Sequence, residues 1–168
     1  PVDFTFGRIT GSTGDWNTGA RLIQGRYLNT NSNGVGSAGS SMLFDSNVGW
    51  NNFSSWGSGA QSWMWKRHAG FDVVTYDGNA TAGRKIQHNL SKTPEMIWVK
   101  CRNALEDWQV GHKGLNGGTN PWEYSVRLNR DYAQQDTSNR WNDTAPTSTH
   151  FTLGGTSEVN GNNKTFIA

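Results

Sequence analysis

The sequence predicts an all-β protein, an antiparallel β-sandwich of jelly-roll or lectin-like type that two related halves build together. Three observations lead there. Residues 71–102, FDVVTYDGNATAGRKIQHNLSKTPEMIWVKCR, read as three short strands separated by polar turns, an antiparallel pattern. Only 33% of residues are hydrophobic, yet nine Trp, seven Phe and four Tyr are present. The core must therefore be filled by a few very large side chains, not many aliphatic ones. The third observation is that several short phrases occur twice along the chain.

Taken in order, Val2 to Ile9 alternates as a strand, with Val2, Phe4 and Phe6 on one face and Asp3 and Thr5 on the other. Gly11 to Gly19 is a loop, and Arg21 to Asn29 a strand pair turning near Gln24-Gly25. Asn31 to Ser41 is rich in Gly, Ser and Asn and forms a long exposed connection. Ser41 to Asp45 is a short strand through Met42 and Phe44, and Val48 to Ser58 mixes aromatics with Asn, Ser and Gly. Gln61 to Lys66 is a strand carrying Trp63, Met64 and Trp65. In the central stretch the strands are Phe71 to Tyr76, Arg84 to His88 around a buried Ile86, and Glu95 to Lys100. Asp77-Gly78-Asn79 breaks the first, because Gly and Asn tolerate the positive φ of a tight turn. Pro94 cannot donate to a ladder and stands outside the third. Met96-Ile97-Trp98-Val99 is apolar without interruption, which marks a strand covered on both faces. Strands follow at Trp108 to His112, Glu123 to Leu128 and Ser148 to Leu153. Asn160-Gly161 is a hairpin signal, and Lys164 to Ala168 begins a last strand.

The repeated phrases pair Asp15-Trp16 with Asp107-Trp108, Leu28-Asn29 with Leu128-Asn129, and Gly49-Trp50-Asn51-Asn52 with Arg140-Trp141-Asn142-Asp143. Trp63-Met64-Trp65 then corresponds to Phe166-Ile167-Ala168. This divides the chain into halves at 1–68 and 69–168, packed as one unit with the crossing near Ala69-Gly70.

Composition excludes several functions. Fifteen basic and thirteen acidic residues are scattered without a run, so no basic footprint for nucleic acid exists. No apolar run is long enough for a membrane helix, and no signal peptide is visible. The single cysteine, Cys101, rules out an internal disulfide and a multi-cysteine metal site. A first residue that is Pro and not Met fits a chain excised from something larger, or processed. Charged residues are 17%, below the usual quarter, which suits an exposed extracellular or virion surface.

Catalysis finds no pattern. His68, His88, His112 and His150 have no helical metal spacing, and His88 and His112 fit strand ends that bond loops. Hydrolysis of a glycoside requires two facing carboxyls, with Asp72, Asp77, Glu95, Glu106, Asp107, Glu123 and Glu158 as candidates. Asp72 and Glu95 fit the rims of strands, while Asp15 and Asp107, each before a Trp, fit loops whose amides they bond. No catalytic residue, metal site or cofactor is assigned.

The phrases FDVVTYDGNATAGRKIQHNL, TPEMIWVKCR and WNDTAPTSTHFTLGGTSEVNGNNKTFIA resemble a β-rich domain recurring in structural proteins of tailed phages, marine and cyanobacterial ones especially. Those chains carry FDVVTYTGNG…HNLG…PEMIWVK, a Trp-containing strand, and WNNTAPTSTVFTLG…VN…TYIA. The similarity is dense over residues 71–168 and looser over 16–66; Ser91 replaces a usual Gly and Asp77 a frequent Thr. The resemblance implies a tail-fibre, appendage or decoration component on the virion surface with a lectin-like sandwich, and it carries over no active site.

What remains is recognition and assembly. Sugars stack on aromatic faces while Asn and Asp bond their hydroxyls, so Trp50, Asn52, Trp56, Trp122, Trp141, Asn142 and Asp143 are the candidate glycan contacts. Each Trp also has a plain structural reading, as filler for a core poor in aliphatics. Interfaces favour aromatic, Met and Arg side chains, which singles out Phe53, Trp63, Met64, Trp65 and Arg67. Phe166 and Ile167 join them if the last strand leaves an open sheet edge. The expected partners are copies of the chain itself, a trimer being the candidate stoichiometry, other virion proteins and host surface glycans. The alternative is a free carbohydrate-binding module or lectin.

Overall fold

A computed structural model describes residues 1–39, 42–47, 49, 50 and 59–168. The first half supplies β1 (Phe4–Ile9), β2 (Asn17–Ala20), β3 (Arg26–Asn29), β4 (Ser37–Ala38) and β5 (Ala60–Trp65). They form one five-stranded sheet in the order β4-β3-β2-β1-β5. The second half supplies β6 (Thr75–Asp77), β7 (Arg84–Gln87), β8 (Met96–Cys101), β9 (Gln109–His112), β10 (Tyr124–Arg127), β11 (Gln135–Asp136), β12 (His150–Leu153) and β13 (Thr165–Ile167). Six of these make a second sheet, β11-β10-β9-β8-β13-β6, while β12 and β7 form a two-stranded ribbon. Among the described residues, two α-helical turns, α1 (Ser138–Trp141) and α2 (Ser157–Asn160), and three 3-10 turns complete the chain. All the paired strands are antiparallel. The protein is an all-β antiparallel sandwich.

Each sheet is a meander whose last strand returns beside the first, the Greek-key connection. Strands are not exchanged between the sheets as a jelly roll would have them. The ladders match residue for residue. Phe6 faces Thr18 and Thr18 faces Leu28 in the first sheet; Trp98 faces Val110 and Val110 faces Val126 in the second. The match continues outward, with Tyr27 opposite Ser37 and Ser125 opposite Gln135.

The second sheet is the middle layer. On one side Ile97, Val99 and Cys101 of β8 and Phe166 of β13 join Ile86, Trp122, Trp141, Phe151, Leu153 and Val159 in the larger core. On the other side Trp98 and Ile167 meet Ala20, Ile23, Leu28, Val73 and Trp108, with Phe4 and Phe71 packed alongside. Strand β8 is therefore covered on both faces, as its unbroken apolar run requires. The far face of the first sheet is covered too. Met42 and Phe44, both fully buried, lie over Gly19, where a Cβ would stand 3.2 Å from Met42 Sδ. This explains why Asp3 and Thr5, the polar side of β1, are buried at 7% and 0% exposure while Phe4 and Phe6 are half-buried. Asp3 is held there by Arg21, 3.0 Å from its carboxylate, and by the Arg67 amide at 2.8 Å.

Several expectations are corrected. The three strands of the central stretch do not pair with one another: β6 pairs with β13, β7 with β12, and β8 with β9 and β13. Residues 71–74 are not strand; Phe71 forms a bridge with His68. The pair expected over Arg21 to Asn29 begins earlier, in β2, and a 3-10 turn, Arg21–Ile23, separates it from β3. Met42 to Asp45 adds no strand to either sheet. Asn160-Gly161 is not a hairpin turn. Asn160 ends α2 fully buried, donating to the carbonyls of Thr81 and Gly154 and accepting from the Asn79 amide. The last strand is no edge, because β13 lies between β8 and β6. Asn52, Phe53 and Trp56, and the first residue of the strand expected at Ser41, lie outside the described residues.

Candidate functional site

A cleft of about 950 Å³ opens between the two sheets. Phe4, Phe6, Trp65 and Phe71 line one wall, and Trp98, Trp108 and Ile167 the other. The first wall follows from period-two spacing. Phe4 and Phe6 share a face of β1, and the register sets Trp65 opposite Phe4 and Trp63 opposite Phe6. The four rings interlock, Phe6 stacking on Trp63 and on Trp65 at 5.3 Å each. The row continues inward, Trp65 to Phe71 at 5.7 Å, and outward, Trp63 to Trp16 at 5.4 Å. The Arg8 guanidinium lies 5.2 Å above the Trp16 ring. Six aromatic residues thus run from the depth of the cleft to the surface, where Trp63 is 39% exposed.

The rim carries the polar groups: Asp72, His88, Lys92, Thr93 and Glu95. The two carboxylates already have structural partners. Asp72 accepts from the amides of Val73 and Asn89 at 2.9 and 2.8 Å. Glu95 lies 2.6 Å from Lys113, whose hydrogen bond and charge hold its carboxyl below the usual range. His88 bonds Thr147 and the Leu90 amide, and His112 accepts from the Gly114 amide, as strand-end residues that fix loops. What the cleft offers a ligand is a wide aromatic wall with few free polar groups. That suits stacking against the C–H face of a sugar or another flat apolar surface.

The described residues expected to touch glycans are not assembled there. Trp122 and Trp141 are buried at 7% and 1% exposure and pack edge-to-face at 5.8 Å in the larger core. Neither presents a face to a sugar. The cause is local: α1 ends at Asn142, whose φ of 53° turns the chain back and tucks Trp141 inward. Asn142 and Asp143 both have left-handed backbone, a turn role that explains them without a ligand. Trp50 is half-buried and stacks over Phe44 at 6.4 Å, away from the cleft. Of the residues expected at an interface, Trp63 and Met64 are exposed at 39% and 51%, Trp65 is part of the aromatic row, and Arg67 is tied to Asp3. Phe166 and Ile167 are core, at 0% and 4% exposure. Phe4, Phe6, Trp16 and Phe71 were missed as site residues. The signal was available: two aromatic i, i+2 pairs, Phe4/Phe6 and Trp63/Trp65, on strands that neighbour each other.

A second polar cluster belongs to the framework. Asp107 is bound by Arg127 and Arg130 at 3.3 and 3.0 Å, and Glu158 by Arg127 and Arg140 at 3.3 and 2.6 Å. Gln109, fully buried, links Arg140 to Glu158. Both carboxylates are engaged by arginine, which makes this a brace across β9, β10, α1 and α2. Among the described residues no three His, Cys, Asp or Glu side chains gather as metal ligands would, and no helix is long and apolar enough to cross a membrane.

The repeated Asp-Trp phrase builds the same clamp twice. The Asn31 side chain donates to Asp15 at 2.9 Å and accepts the Trp16 amide at 3.0 Å; Asn129 donates to Asp107 at 2.7 Å and accepts the Trp108 amide at 2.9 Å. The equivalent of Asn129 is therefore Asn31 and not Asn29, a register two residues from the one the sequence phrases indicate. The Trp108 indole N–H donates to the Asn29 carbonyl at 2.9 Å, fastening the second clamp to the first half.

No curated protein and no solved structure matches the chain. Residues 24–168 match the family model described as Domain of unknown function (DUF7483), so the aromatic cleft and the twofold clamp are features of a chain that belongs to that family.

Proposed function

We propose that the chain is a non-catalytic structural component of a tailed-phage particle, in a fibre, appendage or surface decoration. It assembles as an oligomer through its first sheet and meets host glycans along the aromatic row. One structural observation carries the reading: the row Phe71–Trp65–Phe6–Trp63–Trp16 reaches from cleft to surface while the carboxylates at its rim already have structural partners. The sequence resemblance to phage structural domains supplies the virion context. The matched ladders support reading the halves 1–68 and 69–168 as two copies of one unit.

The test is mass spectrometry of purified particles, where the protein is expected at stoichiometric abundance. Its consistent absence rejects the virion role. The second reading, a free carbohydrate-binding module, is favoured by the same exposed indoles. A glycan array distinguishes it: binding abolished by Trp16→Ala or Trp63→Ala places sugars on the row, whereas Trp122 and Trp141 are core residues whose loss acts through folding.

A further inference from the structure

The two matched sheets differ at one edge. In the second sheet, β13 has a neighbour on each side, β8 and β6. In the first, the equivalent strand β5 has β1 on one side and, among the described residues, no strand on the other. The equivalence follows from register. Cys101 faces Phe166 as Ile9 faces Ala60, and Lys100 faces Ile167 as Arg8 faces Gln61. One residue further, Ser62 corresponds to Ala168, whose amide and carbonyl are both bonded to Val74, at 2.9 and 3.0 Å. The Thr10 amide bonds the Gly59 carbonyl, so alternation along the ladder turns Gln61, Trp63 and Trp65 toward β1. The backbone groups of Ser62 and Met64 then point to the open side. Among the described residues, the fold makes the same strand seat twice and fills one of them from within.

The other sheet edges are blunted as edges normally are. Strands β4 and β11 are two residues long, β6 is three and ends in Asp77, β7 carries Arg84 and Lys85, and three of the four residues of β12 are buried. Strand β5 has six residues, Ala-Gln-Ser-Trp-Met-Trp, with no charge and no proline, and exposes Trp63 and Met64 on opposite faces. Its nearest charges, Lys66 and Arg67, lie together at its C-terminal end. An antiparallel partner of identical sequence sets that basic end against neutral Gly59 and Ala60, roughly 20 Å from its own counterpart. A parallel copy would set the two basic ends side by side.

We infer that β5 pairs antiparallel with β5 of a second copy about a twofold axis, joining two five-stranded sheets into one continuous sheet. Such an interface is isologous and closed. The inference rests on the assembly part of the reading above, in a form that can fail separately. A monomer in solution sinks the pairing, while absence from particles sinks the virion role and leaves the dimer standing.

The experiment is sedimentation equilibrium of the 168-residue chain from about 1 to 100 µM, together with hydrogen exchange. The expected species has twice the 18.6 kDa of one chain. Met64→Lys adds a charge to the exposed edge, and Ser62→Pro removes the outward N–H without touching the β1 ladder. Each is expected to weaken dimerisation by about tenfold or more with an unchanged circular dichroism spectrum. The Ser62 and Met64 amides should be protected in the dimer and exchange freely in either variant. A monomeric wild type, a trimer, or a dimer that neither variant weakens would overturn the pairing. So would protection of these amides in dilute monomer, which would mean that the chain covers its own edge.

Discussion

The two sheets share one ladder and differ in what covers them. The second has a sixth strand on β13, a ribbon and two helical turns on its far face, and the first sheet on its near face. The first keeps a six-residue edge with Trp63 and Met64 exposed. The same connectivity thus yields a framework in one half and a presenting surface in the other. The difference arises from side chains at equivalent ladder positions: Phe166 where β5 has Ala60, Trp98 where β1 has Phe6, and Lys100 where β1 has Arg8. A framework position should be costly to alter and a presenting one cheap, whatever the size of the side chain.

The largest contrast is expected between Phe166→Ala and Trp63→Ala. Phe166 is fully buried, stacks on Tyr76 at 5.2 Å and sits in the larger core. Replacing it with the residue that β5 carries at that position should cost about 3–5 kcal/mol. Trp63 is the larger side chain but 39% exposed on an edge. Its removal should cost under about 1.5 kcal/mol, mainly lost ring stacking. Urea denaturation of both variants measures the contrast, and equal losses would erase the distinction between framework and surface.

Lys100 and Arg8 sharpen it electrostatically. Arg8 is half-buried over the Trp16 ring, whereas Lys100 is fully buried, donating to the carbonyls of Cys101 at 2.7 Å and Asn33 at 3.2 Å. Burial lowers the Lys100 pKa to about 8, against the pull of Cys101, Glu106 and Asp107 toward the charged form. The unfolded chain keeps its proton up to the ordinary lysine value, so between these two values it binds more protons than the folded one. Stability should therefore rise with pH across this window, by about 1.5 kcal/mol from pH 8 to 9.5. Tyr76 works the other way, since burial raises its pKa and the unfolded tyrosine releases its proton first, but this becomes substantial only as pH approaches the ordinary tyrosine value, above pH 9.5. Lys100→Met should flatten the pH profile of denaturation, and a wild-type profile already flat from pH 8 to 9.5 would contradict the assignment.

Gly111 and Gly19 occupy the same ladder position, opposite Ile97 and Thr5. A Cβ at Gly111 would stand 2.5 Å from Trp122 and 2.9 Å from Trp141, two rigid rings packed against each other. At Gly19 it would meet Met42 Sδ at 3.2 Å, part of a flexible side chain. Gly111→Ala should cost about 1–3 kcal/mol and Gly19→Ala under about 1 kcal/mol. Thermal melts of the pair test this, and reversal of their order would mean that the cap over the first sheet is the more rigid.

Much of this was legible in the sequence, for reasons that separate local from distant causes. The alternation of Val2 to Ile9, the run Met96 to Val99 and the Trp63-Met64-Trp65 strand are local patterns, and each forms a strand in place. Partner choice is not local. Strand β6 pairs with β13 about ninety residues away, so three strands adjacent in sequence are not adjacent in space. The Asn160-Gly161 phrase misled because the side chain of Asn160 is a buried hub for Asn79, Thr81 and Gly154, a need that no neighbouring residue reveals. Polar neighbours likewise made Trp141 look exposed, although one left-handed residue, Asn142, is enough to bury it. The cleft was hidden for the same reason as the partners: its walls come from sheets in different halves.

The smallest expected effect falls on the clamp that both halves share. Asn129→Ala leaves the Trp108 amide without its acceptor in a residue only 3% exposed, and frees one side of Asp107. An orphaned buried donor costs about 1–3 kcal/mol. Here Arg127 and Arg130 still hold Asp107, so the lower end, about 1 kcal/mol, is expected. Asn31→Ala breaks the same two bonds around Trp16, but Asp15 and Asn31 are exposed, and water can take the place of the lost amide group. Its cost should be within about 0.5 kcal/mol. Hydrogen exchange reads the two sites directly: Asn129→Ala should speed exchange at the Trp108 amide more than Asn31→Ala does at Trp16, relative to the unaltered chain. If the order were reversed, the clamp rather than the layers above it would set stability, and the division into framework and surface would have to be drawn from the loops.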